Sequence, residues 1–283
     1  MKQGLVLEGG AMRGLFSAGV MDVMMENGIE FDGAVGVSAG AAFGCNYKSR
    51  QPGRAIRYNM QFAKDKRYCS VESLVRTGDL FNAEFAYHTV PLTLDVFDSE
   101  TFVNNPMEFY VVCTDVERGT AVYHCMDSGG NEAFDWIRAS ASMPVVSRMV
   151  ELDGMKLLDG GVTDSIPLAF LERMGYGRNV VILTQPAGYV KKMNPLMPIM
   201  HWSLRKYPCM VKAMRTRHLM YNEQLGHVNE QERKGNAFVI RPDRPLDIGH
   251  ISHNPDEMKA VYETGRRKGV EVMGRLKAFC RKI

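Results

Sequence analysis

Gly4-Leu5-Val6-Leu7-Glu8-Gly9-Gly10-Ala11-Met12-Arg13-Gly14, followed downstream by Gly36-Val37-Ser38-Ala39-Gly40, is the sequence on which the fold turns. Residues 4–7 read as a short buried strand that runs straight into a glycine-rich turn. Helical patterning takes over across 15–27, and Gly28 ends it as a helix C-cap does. A second apolar segment, 31–37, stops at Ser38. The small residues of 39–42, with Phe43 and Cys45, then open another helix. Strand, turn, helix, strand, tight turn and helix within fifty residues predict a parallel α/β sheet with helices on its faces.

Further along, 109–114 reads as a strand, 120–124 as another and 132–142 as a helix. Lys156-Leu157-Leu158 leads into Asp159-Gly160-Gly161, and 180–183 reads as the last buried strand of the sheet. Residues 54–67 form a basic helix with a solvated face, and a polar, aromatic loop region continues to 101. Beyond Pro186 the composition shifts to Met, Pro and Lys/Arg. One more strand is expected at 237–240 and a terminal helix at 256–282. The expected organisation is an α/β domain over 3–185 and a mainly helical, Met-rich basic extension over 186–283 that packs on it.

Composition narrows the function classes. The chain has 283 residues, 45% hydrophobic and 24% charged, with 27 glycines and 12 prolines, which is ordinary globular material. A net charge of +3 is too mild to argue for nucleic-acid binding. The N-terminal apolar stretch is too short for a signal peptide, and no run approaches the ~18 residues a membrane span needs. The six cysteines are scattered without a CxxC pair and read as buried, reduced thiols, and His and Cys do not cluster as metal ligands. The expectation is a cytoplasmic protein with no metal and no cofactor.

Gly36-Val37-Ser38-Ala39-Gly40 matches G-x-S-x-G. A nucleophile at the tip of a sharp strand-to-helix turn sits in strained backbone, and the flanking residues must be small for the turn to close. The helix that follows aims its N-terminal N–H groups at developing negative charge. The run Gly9 to Gly14 fails as a dinucleotide fingerprint, because Ala11 stands where glycine must approach a pyrophosphate. It fits an oxyanion hole instead, with consecutive small residues leaving backbone N–H groups unpaired and Arg13 as an anchor or added positive charge. Both turns follow neighbouring parallel strands, so Gly10 and Ser38 should be close in space. None of the seven histidines has an obvious catalytic setting. Asp159, at a strand end before Gly160 and Gly161, is the better base, since a carboxylate within hydrogen-bond reach can take the serine proton directly.

This ordered set resembles the patatin-like phospholipases over roughly residues 3–185. Two further matches are Arg138-Ala139-Ser140-Ala141-Ser142-Met143-Pro144, ahead of the aspartate, and Asp164 with Pro167 after it. The resemblance implies a three-layer α/β/α sandwich with a mostly parallel central sheet. It also implies Ser38 as nucleophile, Asp159 as general base, and Gly9, Gly10, Ala11 and Arg13 as the oxyanion loop. Gly14, Gly36, Gly40, Gly160 and Gly161 are the motif glycines. Many members have glycine where this chain has Ala11, whose N–H remains available. The implied activity is a Ser-Asp acyl hydrolase acting on phospholipid, lysophospholipid or acylglycerol esters. The alternatives are a Ser-His-Asp α/β-hydrolase and a non-catalytic lipid-binding protein that kept the motifs.

From 188 to 222 the chain has no Asp or Glu but seven Lys/Arg and six methionines. Basic residues can meet anionic headgroups, and methionine suits a wall that accommodates varied acyl chains. Contact with a membrane periphery through 188–222 stands beside the plainer reading of a core-packing helix pair with a solvated basic face.

Overall fold

The computed structural model describes residues 1–281. Among them, eight strands form one mixed sheet: β1 (Lys2–Leu7), β2 (Gly33–Val37), β3 (Glu108–Asp115), β4 (Thr120–Cys125), β5 (Val150–Leu152), β6 (Met155–Asp159), β7 (Tyr176–Ile182) and β8 (Ala237–Ile240). The order is β5-β6-β3-β2-β1-β7-β8, with β4 on the other edge of β3. Strands β3, β2, β1, β7 and β8 run parallel, whereas β4 and β6 are antiparallel to β3. The helices are α1 (Gly14–Glu26), α2 (Ala39–Lys48), α3 (Arg54–Phe62), α4 (Val71–Thr77), α5 (Ser99–Asn104), α6 (Asn131–Ala141), α7 (Leu168–Arg173), α8 (Met197–Ser203), α9 (Pro208–Lys234) and α10 (Pro255–Arg281).

The strands divide their side chains between two apolar layers, as the period-2 pleat requires. Leu5, Leu7, Ala34, Phe109, Val111, Val180 and Ile182 enter the core that α1, α2, α6 and α10 cover. Val6, Val35, Val37, Tyr110, Val112 and Val181 enter the opposite core, under α7 and α9. Both faces of the sheet are therefore buried at its centre, which is why residues 4–7, 33–37, 109–113 and 179–182 carry few polar side chains. The result is the expected α/β/α sandwich. Helix α10 lies on α1 so closely that a Cβ at Gly19 would stand 2.2 Å from the Tyr262 carbonyl oxygen.

One feature of the topology positions the site. β4 occupies one edge of β3 from Tyr110 to Asp115, so β2 and β6 must share the other. Val37 pairs with Val112 and Asp159 with Cys113, the next residue along. The C-terminal ends of β2 and β6 thus meet head to head in one lane of the sheet. The β5–β6 hairpin that turns β6 into this lane closes on Asp153 and Gly154, both at positive φ (51° and 72°), as a two-residue type I′ turn demands.

Several expectations need correction. The strand at 180–183 is not the last of the sheet, because β8 pairs with β7. The basic segment is not simply solvated. Arg54 is buried and ion-paired with the buried Asp95 at 3.0 Å, whereas Arg57, also paired with Asp95, reaches solvent as Lys64, Lys66 and Arg67 do. The supposed loop region holds α4, α5 and a π-helical stretch, Phe85–Leu94. Cys125 and Cys209 are exposed rather than buried. The expected end of the terminal helix, Lys282, lies outside the described residues.

Candidate active site

Ser38 sits between β2 and α2 with φ 55° and ψ −120°, a conformation that a side chain rarely adopts. The glycines around it are dictated by contact. A Cβ on Gly36 would stand 2.5 Å from the Gly40 carbonyl oxygen, and one on Gly40 2.4 Å from that of Leu7. The elbow is held from outside as well. The Ser38 N–H donates to Ser140 Oγ at 2.9 Å, and the Ser140 hydroxyl donates to the Val112 carbonyl at 2.6 Å.

The glycine-rich loop lies beside the elbow, since a Cβ on Gly9 would come within 3.1 Å of Ser38 Cβ. Ala11 opens a single 3-10 turn at φ 50°, and Gly14 starts α1 against Ala39 and Phe43 of α2. Among the described residues, no hydrogen bond uses the N–H of Gly9, Gly10 or Ala11. The loop is anchored by the buried Glu8, which accepts from Tyr221 Oη at 2.5 Å and from the Thr184 N–H at 2.5 Å. Burial pushes the Glu8 carboxyl up, and these hydrogen bonds and Arg13 oppose that shift.

Asp159 is buried at the end of β6. Its Oδ1 accepts the Gly161 N–H at 2.7 Å, and its own N–H donates to the Ser142 carbonyl at 2.8 Å. Burial raises its pKa, while the Arg217 guanidinium, the Gly161 N–H and the nearby Ser38 hydroxyl favour the charged carboxylate. Gly160 packs on β3, where a Cβ would stand 2.1 Å from the Val112 carbonyl oxygen. Asp164 accepts from Tyr123 and from Gln224 of α9, each at 2.6 Å, which fixes the turn after the aspartate.

Two cavities meet at Ser38. One, of about 100 Å³, is apolar and aromatic, walled by Phe43, Tyr58, Tyr87, Val90, Phe134 and Ile137. The other, of about 470 Å³, contains Ser38, Asp159, Gly9, Gly10, Ala11, Arg13 and Gly161, together with Lys191, Arg217 and His250. Ser38 and Ala11 border both.

The basic stretch therefore splits. Lys191 and Arg217 turn into the cavity, while Lys192, Arg205, Lys206, Lys212 and Arg215 stay exposed. The methionines split too, with Met197, Met210 and Met214 buried under α8 and α9 and Met193 exposed. Sequence reasoning quoted Ser140 and Ser142 without a role, and it passed over Glu8, Thr184 and Tyr221. It also missed that His250, in the loop after β8, lines the cavity. Asp159, however, accepts the Gly161 N–H and lines the same cavity as Ser38.

The chain matches known proteins along most of its length. The family model described as patatin-like phospholipase matches residues 5–171, and one described as a domain of unknown function, DUF6363, matches 207–281. The uncharacterized protein YjjU of Escherichia coli (strain K12) is 29% identical, over 94% of this chain and 75% of its own length. Lysophospholipase nte1 of Emericella nidulans is 26% identical over 97% of this chain, which spans 18% of that protein's length. The crystal structure of VipD from Legionella pneumophila aligns with a TM-score of 0.48 and 12% identity, over 97% of this chain and 67% of that one.

Proposed function

This chain belongs to the patatin-like phospholipase family, a family of lipid carboxylic ester hydrolases, and from that premise we propose that it hydrolyses lipid esters through a Ser38–Asp159 dyad. The observation that carries the reading is the convergence of Ser38, Asp159 and the unpaired N–H groups of Gly9, Gly10 and Ala11 in one cavity. Asp159 takes the Ser38 proton as the oxygen attacks the ester carbonyl. The tetrahedral oxyanion is stabilised by the loop N–H groups and the N-terminus of α2. Collapse expels the alcohol, which leaves with the proton from Asp159. Water, deprotonated by Asp159, then attacks the acyl-enzyme, and Asp159 returns that proton to Ser38 Oγ as the C–O bond breaks and the fatty acid is freed.

The test is hydrolysis across a panel of phospholipid, lysophospholipid and acylglycerol esters, with fluorophosphonate labelling of Ser38. Ser38→Ala and Asp159→Asn should each lose turnover while staying folded, and His250→Ala should keep it. A folded but inactive His250→Ala protein would favour a Ser-His arrangement instead.

The surroundings of the cavity support a lipid interface. No described helix is long and apolar enough to cross a membrane. Val190, Met193, Leu196, Ile199 and Trp202 are exposed, Trp202 by 71%, and Leu196 and Ile199 also line the cavity. Exposed Lys192, Arg205 and Lys206 accompany them. This apolar and basic surface docks on an anionic lipid surface and opens the cavity toward it.

A further inference from the structure

The larger cavity carries more positive charge than the dyad chemistry needs. Arg13, Lys191 and Arg217 all line it, on three separate segments of the chain. Among the described residues, none of the three is in an ion pair with a carboxylate. The two acids of the cavity hydrogen-bond to other groups, Glu8 to Tyr221 and Thr184, and Asp159 to Gly161. Arg13 Nε is buried without a hydrogen-bond partner. Arg217 uses Nε on the Gly161 carbonyl at 2.5 Å, which leaves its terminal nitrogens for a ligand. Lys191 is fixed by its backbone, whose N–H and carbonyl both bond Asn222, while Nζ lies over the Tyr221 ring.

Three half-buried cations share this cavity with two carboxylates, neither in an ion pair with them, and the surplus positive charge is costly unless a further anion completes it. We propose that Lys191 and Arg217, with Arg13, bind a phosphate group on the alcohol portion of the lipid ester. This rests on Ser38 being the attacking group. With the ester carbonyl at Ser38, the acyl chain enters the aromatic cavity and the alcohol faces the cationic one. Phosphate offers several acceptor oxygens and one or two negative charges, which suits two guanidinium groups and an ammonium. The substrate class is then a phosphate-bearing acyl glycerol rather than a neutral acylglycerol. Mutual repulsion agrees with the geometry: burial first, then Arg217 and Arg13, bring the Lys191 ammonium down to about 8.

The test measures binding in the Ser38→Ala protein, so it is separate from the turnover test of the catalytic reading. Dodecyl phosphate and 1-O-dodecylglycerol carry the same chain with and without the anion. Dodecyl phosphate should bind about tenfold or more tighter, because charge-assisted hydrogen bonds are stronger than those a neutral glycerol can make. Adding Lys191→Met should remove most of that preference. Lys191 suits the purpose because its ammonium makes no hydrogen bond, so the variant should fold. Inorganic phosphate should displace dodecyl phosphate only at far higher concentration. Equal affinity for the two dodecyl ligands, or an unaltered preference in Lys191→Met, would overturn the headgroup site. Inorganic phosphate binding as tightly as dodecyl phosphate would overturn the lipid source of the anion.

Discussion

Ser140 Oγ accepts the backbone N–H of Ser38 at 2.9 Å and donates its own hydrogen bond to the Val112 carbonyl at 2.6 Å. Val112 pairs with Val37, so this one hydroxyl bridges the end of β2 and the strand beside it. Two residues on, the Ser142 carbonyl accepts the N–H of Asp159 at 2.8 Å. The C-terminal end of α6 thus sets Ser38 and Asp159 relative to each other, though it supplies neither.

Removing that hydroxyl should be felt twice. Ser140→Ala leaves the Ser38 N–H and the Val112 carbonyl without their shared partner, at a cost of about 1–3 kcal/mol in urea unfolding. A displaced nucleophile should also lower kcat about tenfold or more, since small misplacements are amplified in the rate. Wild-type stability together with wild-type kcat would mean that the elbow is held by other contacts.

Ala11 stands at φ 50°, where glycine is at ease and a side chain pays roughly 1 kcal/mol. Ala11→Gly should therefore keep turnover and raise stability by less than about 1 kcal/mol, because the freer unfolded chain offsets part of the gain. Ala11→Val adds β-branching at a left-handed position beside Ser38. Loss of one oxyanion donor would slow the reaction about a hundredfold. A valine variant as fast as wild type would move the hole to other N–H groups.

The parts legible in the sequence were those set by local chemistry. Strand, turn and helix over residues 4–48 followed from apolar runs ending in small residues, and Gly36 and Gly40 from the turn they must close. What stayed hidden was long-range. Nothing near 108–115 in the sequence says that β3 takes β2 and then β6 along one edge, yet that abutment is what brings Ser38 to Asp159. The acid-free stretch was visible as charge. Its division into Lys191 and Arg217 facing inward and Lys192, Arg205 and Lys206 facing outward depends on how α8 and α9 pack. Arg54 looked like a surface cation because its partner, Asp95, lies forty-one positions away.

Burial holds Asp159 above the ordinary carboxylate range, and Arg217 pulls it back toward the charged form. A general base must be ionised, so turnover should fall as pH drops through this raised pKa. Removing the Arg217 cation favours the protonated acid. In Arg217→Met, the acid limb of kcat/KM on a neutral short-chain ester should therefore move to higher pH. A neutral ester keeps any headgroup contribution out of the comparison. An unmoved limb would mean that Arg217 does not govern the base.

The alkaline side should report Lys191. Its ammonium is brought down to about 8 by burial, then by Arg217 and Arg13, while Glu8 and Asp159 oppose the shift. Lysine carries its charge below its pKa, so selectivity for phosphate-bearing over neutral esters should be high near pH 7 and decline above about 8. Lys191→Arg, which stays charged, should hold its selectivity to higher pH. A wild-type ratio flat from pH 7 to 9.5 would exclude Lys191 as the titrating contact.

The exposed face beside the cavity makes a separate claim about the lipid surface. Lys192, Arg205 and Lys206 are exposed and flank Met193, Ile199 and Trp202. A basic residue near an anionic membrane contributes about 1 kcal/mol, and salt screens exposed charges over ~8 Å at physiological ionic strength. Reversing the three to Glu should weaken binding to anionic vesicles at least about tenfold, and rising salt should weaken the wild type in the same direction. Trp202→Ala should weaken binding with little change in salt dependence, because it removes apolar contact rather than charge. Hydrolysis of a short soluble ester serves as the fold control, since it needs Ser38, Asp159 and the oxyanion loop but no interface. Equal vesicle binding by the wild type and the reversed variant, with soluble-ester turnover intact, would leave this face as the solvated cover of the helices beneath it.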